Sequence, residues 1–284
     1  MAAGSSGSWH SGPVASGNLI VSLHEGVATI VVDNAPINLM TVPLYLELAE
    51  TIDRIAVDDA VRVVVLRSAN PEWFIAHFDV AAILEFPTDQ APPPTELSTY
   101  HKMCEQLRQM PKATIAVIEG RVGGGGSEIA LSCDMRFAGP TAMFNQPEVA
   151  LGIIPGGTGT VRLPRLIGRS RALEVILGCD DIDAETAERW GWVNRVLPTD
   201  ELATFVDRLA ARIASFPPHA VAAAKASIVR AEAGVVEQLL AEAYAFAGTL
   251  SHPRTQAAMS NFLARGGQTP DGERRLGDLA GELG

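Results

Sequence analysis

The sequence predicts an α/β core over its first two thirds and an α-helical region at its C-terminal end. In the first part, short β-branched runs such as residues 61–66 alternate with stretches of helical apolar spacing such as residues 42–57. From residue 157 onward the apolar spacing is almost entirely helical. Strands and helices that alternate along a chain are typical of a sheet with helices packed on it, so the predicted fold class is α/β.

Seven short runs that are rich in β-branched and apolar residues are predicted strands. His24, Glu25 and Gly26 form a turn signal between the first two runs, which predicts a hairpin. Residues 61–66 and 114–119 are nearly continuous apolar runs, which is typical of buried strands. The predicted strands are residues 18–23, 27–32, 61–66, 114–119, 135–138, 143–144 and 193–196.

Helices are predicted where apolar residues recur every three or four positions. Over residues 42–57 this spacing places Leu44, Leu48 and Ile52 on one face, and Pro111 ends a helix at residue 110. The predicted helices are residues 42–57, 80–84 and 97–110, a helix that starts near residue 126, and residues 158–167, 170–178, 183–190, 200–215, 218–230, 234–249 and 253–264.

The chain is predicted to have three parts. Residues 1–17 are rich in Ser, Gly and Ala and lack the charged and apolar regions of a secretory signal, so we predict a disordered leader. Residues 18–199 are predicted to form the core, and residues 200–284 a helical region that ends in a flexible tail. Residues 69–79 are a predicted loop, and residues 86–96, which contain four prolines, are predicted to be mobile.

Composition and charge exclude several classes of protein. Hydrophobic residues make up 47% and charged residues 19%, which is an ordinary globular composition without an apolar run long enough to span a bilayer. The net charge of −11 disfavours a nucleic-acid partner, because binding phosphates requires clustered basic residues. Cys104, Cys133 and Cys179 are an odd number without metal-ligand spacing. We expect reduced thiols, a cytoplasmic protein and no metal.

A glycine run precedes the first of two candidate catalytic carboxylates. Residues 123–126 are all glycine; they follow a predicted strand and precede Ser127 and Glu128. A helix that begins there presents unpaired N–H groups that favour an anion, and glycines let a ligand approach the backbone. We expect Glu128 in the first turn of this helix. A tight turn with a well-placed N-terminal glutamate is the simpler alternative, and no P-loop motif is present.

The second candidate carboxylate is Glu148, which follows Gln146 and Pro147. Its neighbours, such as Phe144 and Leu151, are mostly apolar. A carboxyl group in such surroundings has a raised pKa and carries a proton at neutral pH, whereas the alternative is a solvated loop acid. Two carboxylates and two glycine-rich turns are the parts an enzyme needs to move protons beside a carbonyl group.

Together these segments resemble the enoyl-CoA hydratase/isomerase (crotonase) superfamily. The resemblance runs from about residue 19 to residue 265 and is most specific over residues 118–166, through the Gly-Gly-Gly-x-Glu, Gln-Pro-Glu and Ile-Pro-Gly-Gly motifs. It implies a spiral of ββα units whose C-terminal helices pack against neighbouring subunits in a homotrimer or a dimer of trimers. It also implies an acyl-CoA substrate, with coenzyme A as part of that substrate and no separate cofactor.

The resemblance implies roles for particular residues. Glu128 and Glu148 match the two family glutamates, of which the first deprotonates the attacking water and the second delivers a proton to the α-carbon. Backbone N–H groups of Phe78 and Gly125 match the oxyanion hole. The further implied substrate contacts are Ala76 at the adenine, Asp79, Gly156 near the water, and Phe262 and Arg265, which resemble a Phe-x-x-Lys motif that a neighbouring subunit lends to the coenzyme.

The chain departs from the family pattern at the oxyanion loop. His77 and Phe78 stand where the family usually has small residues. Backbone N–H groups do not depend on the side chain, so the hole can persist while the acyl pocket narrows. His77 has two interpretations, a hydrogen-bonded structural residue or a residue that contacts substrate or tunes the site. Asp79 is predicted to form a turn or cap a helix, besides the contact that the resemblance implies.

The predicted function is an enoyl-CoA hydratase of fatty acid metabolism, acting for example in β-oxidation. It would add water to a 2-enoyl-CoA and give a 3-hydroxyacyl-CoA. The alternatives are an enoyl-CoA isomerase, another acyl-CoA lyase or hydrolase of the superfamily, and an acyl-CoA-binding protein without turnover. The presence of both glutamates favours the hydratase. The unusual loop at His77 and Phe78 is the reason that an acyl-CoA-binding protein without turnover stays an alternative.

Overall fold

The computed structural model describes residues 12–89, 92–232 and 234–283, so residues 1–11 of the predicted leader and residues 90–91 of the predicted mobile loop lie outside it. Its strands are β1 (Val14–Ser16), β2 (Leu19–His24), β3 (Val27–Val32), β4 (Val63–Ser68), β5 (Trp73–Ile75), β6 (Ala113–Ile118), β7 (Arg121–Gly123), β8 (Met135–Ala138), β9 (Met143–Asn145), β10 (Ile182–Asp183) and β11 (Arg195–Val196). Its helices are α1 (Val42–Val57), α2 (Val80–Leu84), α3 (Thr99–Gln109), α4 (Gly124–Ser132), α5 (Gly159–Ile167), α6 (Arg169–Gly178), α7 (Ala184–Trp190), α8 (Thr199–Ala214), α9 (Pro218–Arg230), α10 (Val235–Leu250), α11 (Pro253–Ala264), α12 (Pro270–Arg274) and α13 (Leu276–Gly281). A turn of 3-10 helix spans Glu148–Leu151.

The larger sheet has seven strands in the order β1-β2-β3-β4-β6-β8-β11. The strands β1, β2 and β3 pair antiparallel, and every pair from β3 onward is parallel. The predicted hairpin is confirmed, since His24 lies opposite Val27. All six residues of β6 are buried, because helices cover both faces of the parallel strands, and this is why the sequence there is continuously apolar.

The smaller sheet has the order β10-β9-β7-β5. Each of β4, β6 and β8 in the larger sheet is followed along the chain by β5, β7 or β9 in the smaller one. The chain therefore alternates between the sheets while it advances by one parallel strand in each, which produces the predicted spiral of ββα units.

Two apolar cores lie on opposite faces of the larger sheet. Val64 and Leu66 of β4 belong to the main core, together with buried residues of α1, α3 and α4. Val63 and Val65 point the other way and pack with Val206 of α8. This alternation follows from the two-residue period of a strand.

The C-terminal helices form a third apolar cluster with α2 and the 3-10 turn. Leu250, Met259 and Phe262 from α10 and α11 pack there with Ile83 of α2 and Ile153, which follows the 3-10 turn. In contrast, α9 contains no buried residue. Within the described residues, none of the helices is long and apolar enough to cross a membrane.

Two predictions at the chain ends are corrected by the structure. Within the predicted leader, Val14–Ser16 forms β1, because its backbone pairs with β2 and Val14 packs on the main core. Within the predicted flexible tail, residues 270–281 form α12 and α13, because Leu276 and Leu279 are buried in the third cluster.

Candidate active site

The glycine run divides between a strand and a helix. Gly123 is the last residue of β7, and α4 begins at Gly124, whose φ of +41° is in the left-handed region that suits glycine. The helix therefore starts two residues earlier than predicted. Glu128 is its fifth residue and lies in the second turn, so the prediction that it lies in the first turn is wrong.

Glu128 binds the N-terminal end of a different helix, α5. Its Oε1 atom accepts the N–H groups of Gly157, Thr158 and Gly159 at 2.8, 2.9 and 2.8 Å. The side chain is 4% exposed, and burial together with the nearby Glu242 carboxylate raises its pKa, while the three N–H donors lower it. Three donors on one oxygen stabilise the ionised form, so Glu128 is suited to accept a proton.

Glu148 has very different surroundings. It is 8% exposed, and its Oε2 atom is buried without a hydrogen-bond partner among the described residues. Burial and the charge of Glu128 raise its pKa, although the nearby His77 acts against this. With few groups to stabilise its negative charge, Glu148 is suited to carry a proton at neutral pH, as its apolar sequence neighbours predict.

Two backbone N–H groups lie close together at the start of α4. Met40 pairs with the residues on either side of Phe78, its N–H donating to the His77 carbonyl at 2.9 Å and its carbonyl accepting the Asp79 N–H at 3.0 Å. The N–H of Phe78 therefore points away from Met40. A Cβ atom added to Gly125 would stand 3.5 Å from the Phe78 nitrogen. Phe78 and Gly125, whose N–H groups are the two predicted oxyanion donors, therefore lie next to each other. The N–H of Gly125 is in the first turn of α4, where N–H groups lack partners within the helix.

A cavity of about 380 Å³ connects these groups. Both glutamates, Gly125, Gly156 and the side chain of Phe78 line it. The remaining lining is mostly apolar and aromatic: Tyr45, Ile83, Phe86, Ser98, Tyr100, His101, Ile153, Ile154, Gly157, Ala243 and Phe246. A cavity of this size with a few convergent polar groups is typical of a binding site for a small molecule.

The aromatic rings around Phe78 form one wall of the cavity. The ring of Phe78 lies 6.1 Å from the rings of both Phe86 and Tyr100, and Tyr45 lies 5.7 Å from Tyr100. The Tyr100 hydroxyl donates to the Gly125 carbonyl at 2.6 Å, which ties this wall to α4. The predicted narrowing of the acyl pocket by Phe78 is consistent with this position.

His77 is held in a buried ion pair, which supports its structural interpretation. Its Nδ1 donates to the Phe78 carbonyl at 2.8 Å, and its Nε2 donates to Glu273 Oε1 at 3.1 Å. Because both nitrogens face acceptors, both carry a proton. Burial opposes this charge, but Glu273 and the Phe78 carbonyl outweigh burial and raise the pKa of His77 to about 9.

Sequence reasoning missed a third carboxylate, Glu242 of α10. It is buried, and one of its oxygens accepts both the Thr160 hydroxyl and the Val161 N–H, so α5 has acidic groups from two elements at its N-terminal end. Its other oxygen lies 3.6 Å from Nε2 of His101, a residue that lines the cavity. Nothing in its local sequence distinguishes it from Glu237, an exposed acid on the same helix. In the described part of the chain, no group of acidic, histidine or cysteine residues is placed to hold a metal ion.

Comparison with known proteins shows the family of this chain. The sequence profile of the enoyl-CoA hydratase/isomerase family matches residues 22–269. The chain belongs to the enoyl-CoA hydratase/isomerase family. A short-chain-enoyl-CoA hydratase of Clostridium acetobutylicum is 34% identical over 251 residues, which cover 87% of this chain and 95% of that protein. A crotonyl-CoA hydratase of Syntrophomonas wolfei is 31% identical over 250 residues, with coverages of 87% and 95%.

Solved structures of the enoyl-CoA hydratase/isomerase family share the fold. A protein of Streptomyces avermitilis with the provisional description of enoyl-CoA hydratase superposes with a TM-score of 0.85. It is 41% identical in sequence, and the match covers 95% of this chain and 99% of that one. The crotonase-like α/β fold predicted from the sequence is therefore confirmed.

The other family positions are not all gathered at the cavity. Gly156 lines it and packs against Phe246, but Ala76 is buried with Ile37 and Trp73 in a separate cluster. Asp79 caps α2 by accepting the Ala81 N–H at 3.0 Å, so its predicted capping role is confirmed.

The two C-terminal family positions also have contacts within this chain. Phe262 is buried in the third apolar cluster, with its ring 5.8 Å from that of His77. Arg265 is half-exposed and lies 3.4 Å from the Glu282 carboxylate. Contacts of Ala76, Asp79, Phe262 and Arg265 with coenzyme A stay predictions.

Proposed function

We propose that this protein is an enoyl-CoA hydratase that adds water to a 2-enoyl-CoA and gives a 3-hydroxyacyl-CoA. One observation carries the proposal: two buried carboxyl groups, of which only Glu128 is held by three N–H donors, line the same cavity as Gly125 and Phe78. The relatives named above as enoyl-CoA and crotonyl-CoA hydratases cover most of this chain, and they support the same activity.

The first step needs stabilisation of negative charge. Attack of water on the β-carbon of an unsaturated thioester moves an electron pair onto the thioester oxygen. The N–H groups of Phe78 and Gly125 would donate to this oxygen in a cavity with a mostly apolar lining. Loss of one such donor costs about 3 kcal/mol of transition-state stabilisation in comparable oxyanion holes.

The second requirement is a base and an acid on the reacting groups. Glu128, whose ionised form is stabilised by its three N–H donors, would remove one proton from the attacking water, and the oxygen of that water would bond to the β-carbon. Glu148, protonated in its apolar surroundings, would give its proton to the α-carbon as the enolate collapses. A proton passed from Glu128 back to Glu148 would restore both groups. Water is then added without any oxidant, metal or separate cofactor.

The assembly and location of the enzyme are part of the same proposal. We propose a homotrimer or a dimer of trimers in the cytoplasm, in which neighbouring C-terminal helices pack together. The exposed helix α9, which has no buried residue in a single chain, is consistent with such packing.

Hydration of crotonyl-CoA, followed by loss of its conjugated thioester absorbance, tests the proposal. The wild type should turn over, and Glu128→Gln and Glu148→Gln should each reduce kcat by roughly 100-fold or more, because each change removes a proton-transfer group. A wild type that binds crotonyl-CoA without converting it would contradict the proposal. Conversion of a 3-enoyl-CoA to its 2-enoyl isomer that is faster than hydration would favour an isomerase.

A further inference from the structure

We propose that His77 and Glu273 are positioning residues that hold the oxyanion hole through a clamp made by the C-terminal segment. This C-terminal clamp consists of residues 266–281. The inference rests on the proposed function, since it concerns the hole in which the thioester oxygen would sit. Glu273 lies beyond residue 269, where the family match ends.

The clamp is bound to the loop that carries the Phe78 N–H. Glu273 is 1% exposed, and its Oε1 accepts from His77 Nε2 at 3.1 Å and from the Gln268 N–H at 2.7 Å. The side-chain amide of Gln268 donates to Asp79 Oδ1 at 2.8 Å. The residues on both sides of Phe78 are thus hydrogen-bonded to the clamp.

The clamp also contacts the element that carries the Gly125 N–H. The Leu276 side chain lies 3.6 Å from the point where a Cβ on Gly123 would stand, at the start of α4. Next to it, the Arg121 guanidinium donates to the Arg274 carbonyl at 3.2 Å. The same short segment therefore packs against both halves of the oxyanion hole and can set their spacing.

His77 carries a positive charge beneath this hole. The groups that face it are the carboxylate of Glu273 and the carboxyl group of Glu148, while Arg121 acts on Glu273 from β7. Phe262, which packs on its ring from α11, is apolar. A fixed imidazolium here would hold the Phe78 carbonyl through Nδ1 and would favour negative charge on the thioester oxygen nearby.

The neutral replacement Glu273→Gln keeps the size of the side chain and removes the charge of the pair. We expect kcat for crotonyl-CoA to fall roughly 10- to 100-fold with KM changed less than about 3-fold, because a misplaced donor weakens transition-state contacts. His77→Gln should have the same effect, and the double variant should be no worse than either single one. Asp271→Asn is the matched control, since Asp271 lies on the same segment with its side chain 97% exposed.

A spectroscopic readout separates positioning from loss of fold. Acetoacetyl-CoA ionises to an enolate whose thioester oxygen carries the same charge as the reaction intermediate, and the enolate absorbs ultraviolet light. Wild type and Asp271→Asn should increase the enolate fraction on binding, whereas Glu273→Gln should bind the ligand with less enolate. If Glu273→Gln is unstable, a double variant with His77→Leu and Glu273→Met removes both charges together. The enolate fraction is then measured on this double variant.

Distinct outcomes separate the two proposals. An inactive wild type contradicts the proposed function. If the wild type is active, and the His77 and Glu273 variants fold and keep their kcat and enolate fraction, only the proposal of the C-terminal clamp is overturned. The proposal of the C-terminal clamp is supported if kcat of the wild type declines around pH 9 and kcat of His77→Gln does not. His77 loses its charge around this pH.

Discussion

Glu128 leaves no room for a side chain on Gly157, whose N–H it binds at 2.8 Å. A Cβ atom at Gly157 would stand 2.3 Å from Glu128 Oε2 and 2.5 Å from a ring carbon of Tyr100. Gly157→Ala should therefore displace the carboxylate and reduce kcat by roughly 100-fold, since small errors in position cost this much. Steady-state hydration of crotonyl-CoA measures the effect.

A second glycine provides the control for this prediction. A Cβ atom at Gly178, the last residue of α6, would meet no atom within 4 Å. Gly178→Ala should keep wild-type kcat and KM. If Gly157→Ala also retained full activity with an unchanged melting temperature, Glu128 would not need its observed position for turnover.

Glu242 should set the pH at which Glu128 becomes ionised. Its negative charge raises the pKa of Glu128, so Glu242→Gln should lower that pKa and move the acid limb of the kcat/KM profile to lower pH. The amide oxygen can still accept from Val161 and Thr160, which preserves the contact with α5. Glu237→Gln, an exposed change on the same helix, should leave the profile in place. If the acid limb of Glu242→Gln did not shift, Glu242 would not control the ionisation of Glu128.

Phe78 should limit the size of the acyl group. Phe78→Ala keeps the backbone N–H but removes the ring that contacts Tyr45, Phe86 and Tyr100. We expect the ratio of kcat/KM for an eight-carbon enoyl-CoA to that for crotonyl-CoA to rise roughly 10-fold, within the range for changes of pocket size. Phe216→Ala, at a half-exposed position away from the cavity, is the control. A constant ratio would place the acyl chain elsewhere.

The buried pair of His77 and Glu273 should make stability depend on pH. The pKa of His77 rises from 6.5 to about 9, so its contribution is complete below pH 6.5 and is lost as the pH rises through 9. This difference corresponds to roughly 3 kcal/mol. The melting temperature of the wild type should therefore fall more than that of His77→Gln between pH 6 and pH 10. If the melting temperatures of the two proteins changed in parallel with pH, the result would contradict a buried charge on His77.

The stability that this residue pair contributes is also lost at acid pH. The Glu273 carboxyl is buried, which alone would raise its pKa, but the neighbouring His77 charge outweighs burial and lowers it below 4.5. Its contribution is present above that value and is lost as the pH falls below it. Glu273→Gln should remove this loss of stability in thermal melts at pH 3 to 5.

Predictions of the larger sheet succeeded where a strand had enough residues to show a pattern. The helix over Val42–Val57 and the strand over Val27–Val32 match their predicted bounds. The predicted strand of residues 61–66 is displaced by two residues, to Val63–Ser68. In the smaller sheet, β5 falls in a predicted loop and β7 begins before the glycine run. Each of these two strands has only three residues, which show too little periodicity to distinguish a strand from a loop.

The local sequence and the family resemblance identified Glu128, Glu148 and the glycine turn as candidates for chemistry. Neither indicated that Glu128 would bind the start of α5, because that contact joins residues about thirty positions apart. Glu242 and Glu273 also went unnoticed, since nothing in their local sequence distinguishes them from surface acids. Their burial depends on which helix packs over them.

Most of the longer strands and helices, the core-facing residues of α1, and the family of this protein followed from local patterns and short motifs in the chain. Periodicity encodes these features because each depends on neighbours within a few positions. The ionisation states of the two glutamates, the aromatic wall around Phe78 and the C-terminal clamp on His77 were decided only by the tertiary structure. Charge burial and hydrogen bonding depend on distant segments that meet when the chain folds, and no local pattern records which segments those are.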